Sequence, residues 1–437
     1  MFELNETQAM VESAVRAWCE KELAPRVPAL EAGEILPYDL MRSLAQGMGL
    51  AGVLEARARK RIAALRGGGD EKTERAEGSG GEEGFGDDPM LTSLLLKEIS
   101  RVSPGFGMAL IATLGCGMAI LGKGSADTIE RHALPVLRFE KIGAWALTEP
   151  GAGSDAFGGM RTTARIDGDT LVLDGQKTFI SNAPYANVFV VYARLIHAGS
   201  AGASPSPSAG ASPSQAGSSP SHPQRDAERP VRAIVVERGT AGLETGPALR
   251  KMGMHDSPTG EVFLHDCRVP FGNLLGTLEG EGGARGGEVL ETLNLERAVM
   301  PAMCLGIIER CTEESIRYAR LREQFGRPIG EFQGIGFKLA RMAVALENAR
   351  NLVAGLAWAQ RRGKLDARLA SIAKLYCAEQ AVRAALDAIQ VHGGAGYMAE
   401  LPFEKLMRDA KMFEIGGGTN EIQLETIARL LLARQGD

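Results

Sequence analysis

The sequence lacks the features that mark membrane, secreted and nucleic-acid-binding proteins. No stretch approaches the roughly 20 consecutive apolar residues that span a bilayer, and the first residues form neither a basic nor an apolar leader segment. Lys and Arg number 49 against 54 Asp and Glu, and the resulting net charge of −5 argues against a nucleic-acid partner. We therefore expect a cytoplasmic protein with no membrane insertion and no nucleic acid.

Cysteine and histidine are scarce, with six residues of each type. The cysteines are scattered and form no C-x-x-C pair, which predicts reduced thiols rather than disulfides or zinc ligands. The histidines are equally dispersed, and no local Ser/His/Asp or Cys/His spacing indicates nucleophilic catalysis. The sequence therefore predicts no metal site.

The chain is long and has ordinary apolar content, with 437 residues of which 44% are hydrophobic. That length allows two or three domains and a large core. Apolar residues follow a helical period over 1–141, a period of two over 142–275, and a helical period again over 276–437. The order predicts an α+β protein, mostly α, with an N-terminal helical domain, a central antiparallel β-domain and a C-terminal four-helix bundle.

Two segments of unusual composition interrupt this pattern. Residues 57–89 begin basic and become rich in Gly and Glu, and residues 198–228 consist largely of Ser, Ala, Pro and Gly. Neither composition can bury a core, so both segments are predicted to be mobile or disordered inserts.

Local signals fix several element boundaries. Asn5 followed by Gln8 resembles a capping box that opens a helix over 5–27. Asp167-Gly168-Asp169 and Asp174-Gly175-Gln176 are typical of hairpin turns between strands.

Three glycine-rich segments are candidates for ligand contact. Leu147–Asp155, with sequence LTEPGAGSD, lies between an apolar run and a strand, where small residues let backbone N–H groups approach a ligand. Gln390–Tyr397 ends a helix, and Gly416–Glu421 opens the last one, whose free N–H groups suit an anion or a carbonyl. Each segment alone is equally compatible with an ordinary loop.

Glu296 is an acid in the middle of an apolar helical stretch, on a face shared with Met300 and Met303. Such a carboxylate is either paired with a neighbour such as Arg297 or functional. A buried, unpaired Glu has a raised pKa, which suits a general base near neutral pH.

These segments, taken in order, resemble the acyl-CoA dehydrogenase family of flavoenzymes over nearly the whole chain, apart from the two inserts. Further segments carry the resemblance: Gly175–Asn182, Lys251–Thr259 with Arg268–Pro270, Arg322–Gly326 with Gln333, and Arg408–Lys411. The resemblance implies FAD as cofactor and oxidation of an acyl-CoA thioester to the trans-2-enoyl-CoA. It further implies an electron-transferring flavoprotein as electron acceptor and a homotetramer built as a dimer of dimers.

The same resemblance implies which residues bind the cofactor. One group would surround the flavin ring and the other would hold the diphosphate and adenosine, partly from a neighbouring subunit. The family's motifs place at the cofactor Ala146, Leu147, Thr148, Gly153, Ser154, Phe179, Ile180, Ser181, Arg322, Gln324, Phe325, Gln333, Gln390, Val391, His392, Gly393, Gly394, Thr419, Asn420 and Glu421.

The sequence departs from the commonest family pattern at the catalytic base. Most members carry the base immediately before the Gly-Thr of the last motif, where this chain has Gly417. Isovaleryl-CoA and long-chain acyl-CoA dehydrogenases carry it within L-x-x-E-R, which Leu293–Arg297 matches, so the resemblance assigns the base to Glu296. Substrate contacts would come from Ser154, Asn294, Leu295, Arg297, Gly416 and Gly417.

The resemblance is greatest to the isovaleryl-CoA dehydrogenase-like members, which predicts a branched short-chain acyl-CoA as substrate. The glycines at 416–418 leave space that suits a branched or bulky acyl group or a wider channel. The alternatives are a medium-chain, long-chain or unusual acyl-CoA dehydrogenase, or an acyl-CoA oxidase or flavin monooxygenase on the same fold.

Overall fold

The computed structural model describes residues 3–67, 88–196, 230–277 and 287–433, with the side chains of 287–297 outside the description. The predicted insert at 198–228 lies outside the described residues, as do residues 68–87 of the insert at 57–89.

Most of the described residues up to 137 are helical. The first helix begins with the predicted capping box, because Asn5 and Gln8 exchange side-chain and backbone hydrogen bonds. It ends at Trp18 and continues as a π turn (Cys19–Leu23) and a 3-10 turn (Ala24–Arg26). The helices are α1 (Glu6–Trp18), α2 (Val27–Glu31), α3 (Tyr38–Gly47), α4 (Leu50–Gly67), α5 (Pro89–Val102), α6 (Pro104–Lys123), α7 (Ala126–Thr128) and α8 (Leu134–Leu137).

Helix α4 corrects the prediction of a mobile insert beginning at residue 57. Residues 57–67 are helical, because Leu50, Leu54, Ala58 and Ile62 recur every four residues and bury one face of the helix. The basic side chains occupy the remaining faces, and Arg66 pairs with Asp127 and Glu130.

Helix α6 is long and apolar enough to cross a membrane by length and composition, and within the described residues it is the one helix that passes this test. Its buried residues, including Phe106, Leu110 and Ile120, belong to the protein core. The same composition is expected of a central helix packed on all sides.

An eight-stranded sheet follows the helices. The strands are β1 (Gly143–Ala146), β2 (Thr163–Asp167), β3 (Thr170–Ser181), β4 (Val188–Ile196), β5 (Val231–Glu237), β6 (Leu243–Thr245), β7 (Thr259–Pro270) and β8 (Leu274–Leu275). Their order in the sheet is β6-β7-β3-β2-β4-β5-β8, with β1 pairing to β4. Most pairs are antiparallel, as predicted, but β1 and β2 both run parallel to β4.

One of the two predicted hairpin turns is wrong. Asp167 pairs with Thr170 across a tight turn, as predicted, but Gly175 lies inside the long strand β3 at a register shift against β7. Gly175 has φ +149°, and a Cβ there would lie 2.5 Å from Thr162 Oγ1. The glycine therefore marks a bulge where two backbones approach closely, not a chain reversal.

The C-terminal part is a helical domain whose shared core includes Met303, Ile307, Ala381 and Phe403. The long helices are joined by short connections, one of which is a small hairpin. The elements are α9 (Gly287–Leu321), β9 (Glu323–Gln324), β10 (Arg327–Pro328), α10 (Gln333–Arg361), α11 (Ala367–His392), α12 (Phe403–Phe413) and α13 (Asn420–Leu432). The overall class, mostly helical α+β with a central sheet, is the one predicted.

Candidate active site

A buried ion pair anchors the loop that follows β1 to strand β3. Lys177 on β3 is fully buried, and its Nζ donates to Glu149 Oε1 at 2.8 Å and to the Leu147 carbonyl at 3.1 Å. Glu149 also accepts from the backbone N–H groups of Arg161 and Thr162. The loop is thus fixed to β3 at its first residues, while Gly153 and Ser154 remain exposed.

The electrostatics of this pair follow from its burial. Burial lowers the pKa of Lys177 to about 8, against the pull of Glu149. Burial alone would raise the pKa of Glu149, but Lys177 and the hydrogen bonds to Glu149 lower it. Both groups are charged at neutral pH, and the carboxylate depends on the ammonium for compensation.

Phe179 presents an aromatic ring beside this loop. Its side chain is 69% exposed and its backbone has φ +58°, an unusual conformation for a bulky residue. The neighbouring Thr178 N–H donates to the Thr148 carbonyl at 2.9 Å, which ties the strand to the loop. An exposed ring held on a constrained backbone is a suitable packing surface for a planar cofactor.

Asn182 anchors the end of β3 to the N-terminal helices. Its side chain is fully buried, and its Nδ2 donates to the carbonyls of Ala109 and Gly143 and to Thr113 Oγ1. Its Oδ1 accepts from the Tyr38 hydroxyl at 3.3 Å. These hydrogen bonds fix the left-handed backbone conformation of Asn182 itself, which follows Ser181 at the end of β3.

A second charged cluster joins the sheet to the bundle. The Asn182 N–H donates to the Pro258 carbonyl, and the preceding loop reaches α12, where the Met254 N–H donates to Asp409. Lys405 lies among Asp409, Asp256 and Glu31, so residues from all three parts of the chain meet there. This cluster connects the Phe179 surface to the helix that leads into the 416–418 loop.

Asp256 in this cluster is expected to make stability depend on pH. Burial, with Asp409 and Glu31 nearby, raises its pKa to about 6, although Lys405 opposes the shift. The native state therefore holds a proton that the unfolded state releases between about pH 4 and 6, so the contribution of Asp256 to stability falls as pH rises through that range. Asp256→Asn should gain about 1–1.5 kcal/mol relative to wild type between pH 5 and 7.5.

Thermal denaturation midpoints across that pH range would measure the gain. The exposed Asp39→Asn variant is the matched control and should track wild type. A constant difference between Asp256→Asn and wild type would contradict the assignment.

The glycine loop at 416–418 is the third part of the site. Gly417 and Gly418 have φ +64° and +91°, and Thr419 caps the helix that follows by accepting from the Ile422 N–H. Lys374 Nζ donates to the Gly418 carbonyl at 2.7 Å. The loop therefore precedes the positive end of α13 and is held by a side chain of α11.

Position 296 lies in α9, in the segment whose side chains are outside the description. Met300, one helical turn later, is buried, and its Sδ would lie 2.8 Å from a Cβ added to Gly417. Residues four apart share a helix face. The backbone thus places position 296 one turn from the residue that packs on Gly417, and Asn294, Leu295 and Arg297 lie in the same turn.

The residues predicted for the adenosine end lie at the far end of α9 and at the end of α11. Arg322, Gln324 and Gln333 are exposed, and Phe325 is 94% exposed on the β9–β10 hairpin. Gln390, Gly393 and Gly394 are exposed where α11 ends. The ring of His392 at the end of α11 lies 4.3 Å from that of Tyr318, which stands near the end of α9.

Not every predicted cofactor residue presents its side chain at the surface. Ala146, Ile180 and Val391 are buried. His392 is also buried, stacked between Tyr318 and Phe403 with Nδ1 against the Ala388 carbonyl, and burial lowers its pKa. Any contact of these four residues with a ligand is expected through the backbone.

Sequence reasoning assigned no role to the buried polar residues that hold the site together: Lys177, Glu149, Asn182, Lys374 and Gln423. For Lys374 the available signal was a charge at a position where helical periodicity demands an apolar residue. Lys374 lies on the same face of α11 as Ala370, Ala378 and Ala381, all fully buried. All six cysteines are buried and free, and among the residues described no group of His, Cys, Asp and Glu is arranged to hold a metal.

Comparison with known proteins places this site in a family. The acyl-CoA dehydrogenase middle domain matches residues 144–267, and the acyl-CoA dehydrogenase C-terminal domain matches residues 286–432. A probable acyl-CoA dehydrogenase of Bacillus subtilis, YngJ, is 33% identical over 432 residues, 99% of each chain. The mitochondrial isovaleryl-CoA dehydrogenase of Oryza sativa subsp. japonica is 32% identical and covers 99% of this chain and 92% of its own.

A solved structure agrees with the sequence relatives. The butyryl-CoA dehydrogenase of Megasphaera elsdenii has a TM-score of 0.79 at 31% identity, over 99% of this chain and all of its own. The fold and site define a flavin-dependent oxidoreductase that acts on CH–CH bonds. The chain belongs to the acyl-CoA dehydrogenase family, with FAD as its cofactor and an acyl-CoA as its substrate. The isovaleryl and butyryl enzymes match at similar identity, so identity alone does not distinguish a branched from a straight short-chain substrate.

Proposed function

We propose that this acyl-CoA dehydrogenase uses Glu296 as its base and oxidises a branched short-chain acyl-CoA such as isovaleryl-CoA. The observation that carries the base assignment is Gly417, the position of the base in most members of the family. It is a glycine with φ +64°, and a Cβ there would lie 2.8 Å from Met300 Sδ. The position one turn before Met300 in α9 is Glu296, which supplies an acid beside a loop that has none.

Different residues of the chain remove the α-proton and stabilise the charge that develops on the thioester. Glu296 removes the α-proton, and the Gly417 N–H donates to the thioester carbonyl, where negative charge develops. The positive end of α13 favours the same charge. Bound FAD would supply the hydride acceptor for the β-hydrogen, so that loss of the α-proton and the β-hydride gives the trans-2-enoyl-CoA.

The fit to FAD rests on the surface around Phe179. Leu147, Thr148, Phe179 and Ser181 would line the flavin ring, with Gly153 and Ser154 at the exposed rim. The exposed residues Arg322, Gln324, Phe325, Gln333, Gln390, Gly393 and Gly394 would hold the diphosphate and adenosine, some of it from a neighbouring subunit. Thr419, Asn420 and Glu421 would meet the cofactor through the start of α13.

The acyl group would lie between the glycine loop and the turn at 294–297. The glycines do not simply leave open space: a Cβ on Gly416 would lie 2.6 Å from Met412 Sδ, and one on Gly417 would meet Met300. Thioether side chains adapt readily to irregular ligands. The similarity to the rice isovaleryl enzyme supports a branched acyl group, and the two methionines would shape its pocket.

The remaining proposals concern organisation and partners. We propose domain limits of 1–141, 142–275 and 276–437, a homotetramer arranged as a dimer of dimers, and a cytoplasmic location. We also propose an electron-transferring flavoprotein as the electron acceptor. The exposed Phe325 hairpin and the exposed apolar side chains of α13, including Leu431 and Leu432, support contact with a neighbouring subunit.

A substrate panel tests this function. Isovaleryl-CoA is expected to bleach the FAD absorbance fastest under anaerobic conditions, ahead of isobutyryl-, butyryl-, octanoyl- and palmitoyl-CoA. Slow reoxidation on admitting air is expected for a dehydrogenase, whereas fast reoxidation would favour the oxidase alternative. Faster bleaching by octanoyl- or palmitoyl-CoA would overturn the substrate proposal.

A further inference from the structure

We propose that Lys374 is a positioning residue for the reaction and acts together with Gln423. Its ammonium group holds the 416–418 loop so that the Gly417 N–H is aimed at the thioester carbonyl. This inference rests on the proposed role of the Gly417 amide. It does not require Glu296 to be the base.

The contacts converge on two consecutive carbonyl groups. Lys374 is 1% exposed, and its Nζ donates to the Gly418 carbonyl at 2.7 Å and lies 3.5 Å from Asn420 Oδ1. Gln423 is fully buried, and its Nε2 lies 2.9 Å from the Gly418 carbonyl and 3.3 Å from the Gly417 carbonyl. Side chains from α11 and α13 therefore donate hydrogen bonds to the same short backbone segment.

The loop requires such external restraint. Gly417 and Gly418 lie in the left-handed region of φ, where glycine has more conformational freedom than any other residue. Fixing a carbonyl fixes its whole peptide plane. The held carbonyls of Gly417 and Gly418 fix the two peptide planes that follow Gly417. The Gly417 N–H lies in the preceding plane, which is joined to them at the Gly417 Cα, so fixing the following planes narrows the directions that this N–H can take before a substrate binds. Preorganised donors contribute most to stabilising developing charge.

The charge of Lys374 has the sign that the reaction needs. A buried ammonium is costly unless it is compensated, and this one lies at the loop that leads into the positive end of α13. An enolate-like transition state places negative charge on the thioester oxygen, next to the Gly417 amide. A neutral side chain at position 374 would lose both the restraint and the favourable charge.

The test compares Lys374→Met with wild-type holoenzyme, using acetoacetyl-CoA and isovaleryl-CoA as probes. Acetoacetyl-CoA ionises to an enolate without transferring a hydride, so the pKa of its bound form reports the polarisation of the carbonyl alone. We expect Lys374→Met to raise that pKa by about one unit and to slow anaerobic flavin reduction at saturating isovaleryl-CoA 10- to 100-fold. The dissociation constant of isovaleryl-CoA should change less than threefold.

Two further variants separate positioning from folding. Gln423→Met removes the other donor without removing a charge, and we expect a smaller shift of the enolate pKa in the same direction. Lys338→Met, which breaks the Lys338–Asp387 pair elsewhere in the bundle, is the matched control and should leave both readouts at wild-type values. If Lys374→Met fails to fold, Gln423→Met carries the same test.

Enolate pKa values equal to wild type in folded Lys374→Met and Gln423→Met would overturn the role of Lys374, even if both variants were less stable. A wild-type protein that does not bind acetoacetyl-CoA would instead overturn the proposed site on which this inference rests. The two failures are therefore distinguishable in one experiment.

Discussion

Glu296→Gln is expected to lose reduction of FAD by acyl-CoA by a factor of at least about 10³, while the variant still binds FAD and acyl-CoA. An amide matches the carboxylate in size but cannot accept the α-proton, and a positioned general base contributes about 10²–10⁴-fold. Because the Gly417 position carries no side chain that could substitute, little residual activity should remain. Stopped-flow absorbance of the flavin under anaerobic conditions measures the loss directly.

The matched control is Glu425→Gln, an exposed acid on α13 that should behave as wild type. Binding is read separately, from the FAD-to-protein absorbance ratio and from the spectral change on adding enoyl-CoA. A Glu296→Gln variant that reduces its flavin at near wild-type rates would remove Glu296 from the mechanism. It would also direct the search to another carboxylate near the 416–418 loop.

Lys177→Met should produce the largest change in stability and in cofactor retention. The substitution leaves the Glu149 carboxylate buried without its counter-ion and removes the donor to the Leu147 carbonyl. Breaking one partner of a buried pair costs about 3–5 kcal/mol. We expect a marked fall in the denaturation midpoint and substoichiometric FAD, because the loop beside Phe179 is no longer fixed.

Two further variants test whether the lost stability of Lys177→Met comes from the uncompensated charge of Glu149. Lys141→Met breaks the more exposed pair with Glu237, and its cost should stay within about 1 kcal/mol. Combining Lys177→Met with Glu149→Gln removes the uncompensated charge, so the double variant should regain part of the lost stability. A Lys177→Met protein as stable as Lys141→Met, with full FAD content, would show that the pair does not support the loop.

The sequence allowed much of the fold to be predicted, because periodicity and end signals are local. The capping box at Asn5 and the tight turn at Gly168 appear where they were predicted. Two local inferences failed. Gly175 marks a bulge and not a turn, because Thr162 approaches its backbone closely. Residues 57–67 continue a helix, because the apolar recurrence of Leu54, Ala58 and Ile62 runs on into the segment whose basic composition predicted a mobile insert.

Part of the candidate site could likewise be predicted from the sequence, and part could not. Motif order was sufficient to place the chain in its family and to indicate FAD and an acyl-CoA substrate, and the complementary Gly417 and Glu296 are visible in the sequence itself. The supporting interactions were not visible. Glu149 and Lys177 are 28 residues apart, and Lys374 and Gly418 are 44 apart, so no local pattern connects the members of either pair.

By itself, the sequence determined the family of this protein, and with it FAD, an acyl-CoA substrate and the class of reaction, because the order of the motifs is written along the chain. Only the tertiary structure decided how the groups of the site are held. It buries Lys177 beneath the loop after β1, fixes the carbonyls of Gly417 and Gly418, and brings Met300 against Gly417 one turn from position 296. Burial and hydrogen-bond partners depend on which distant segments meet, and that is a property of the packed chain.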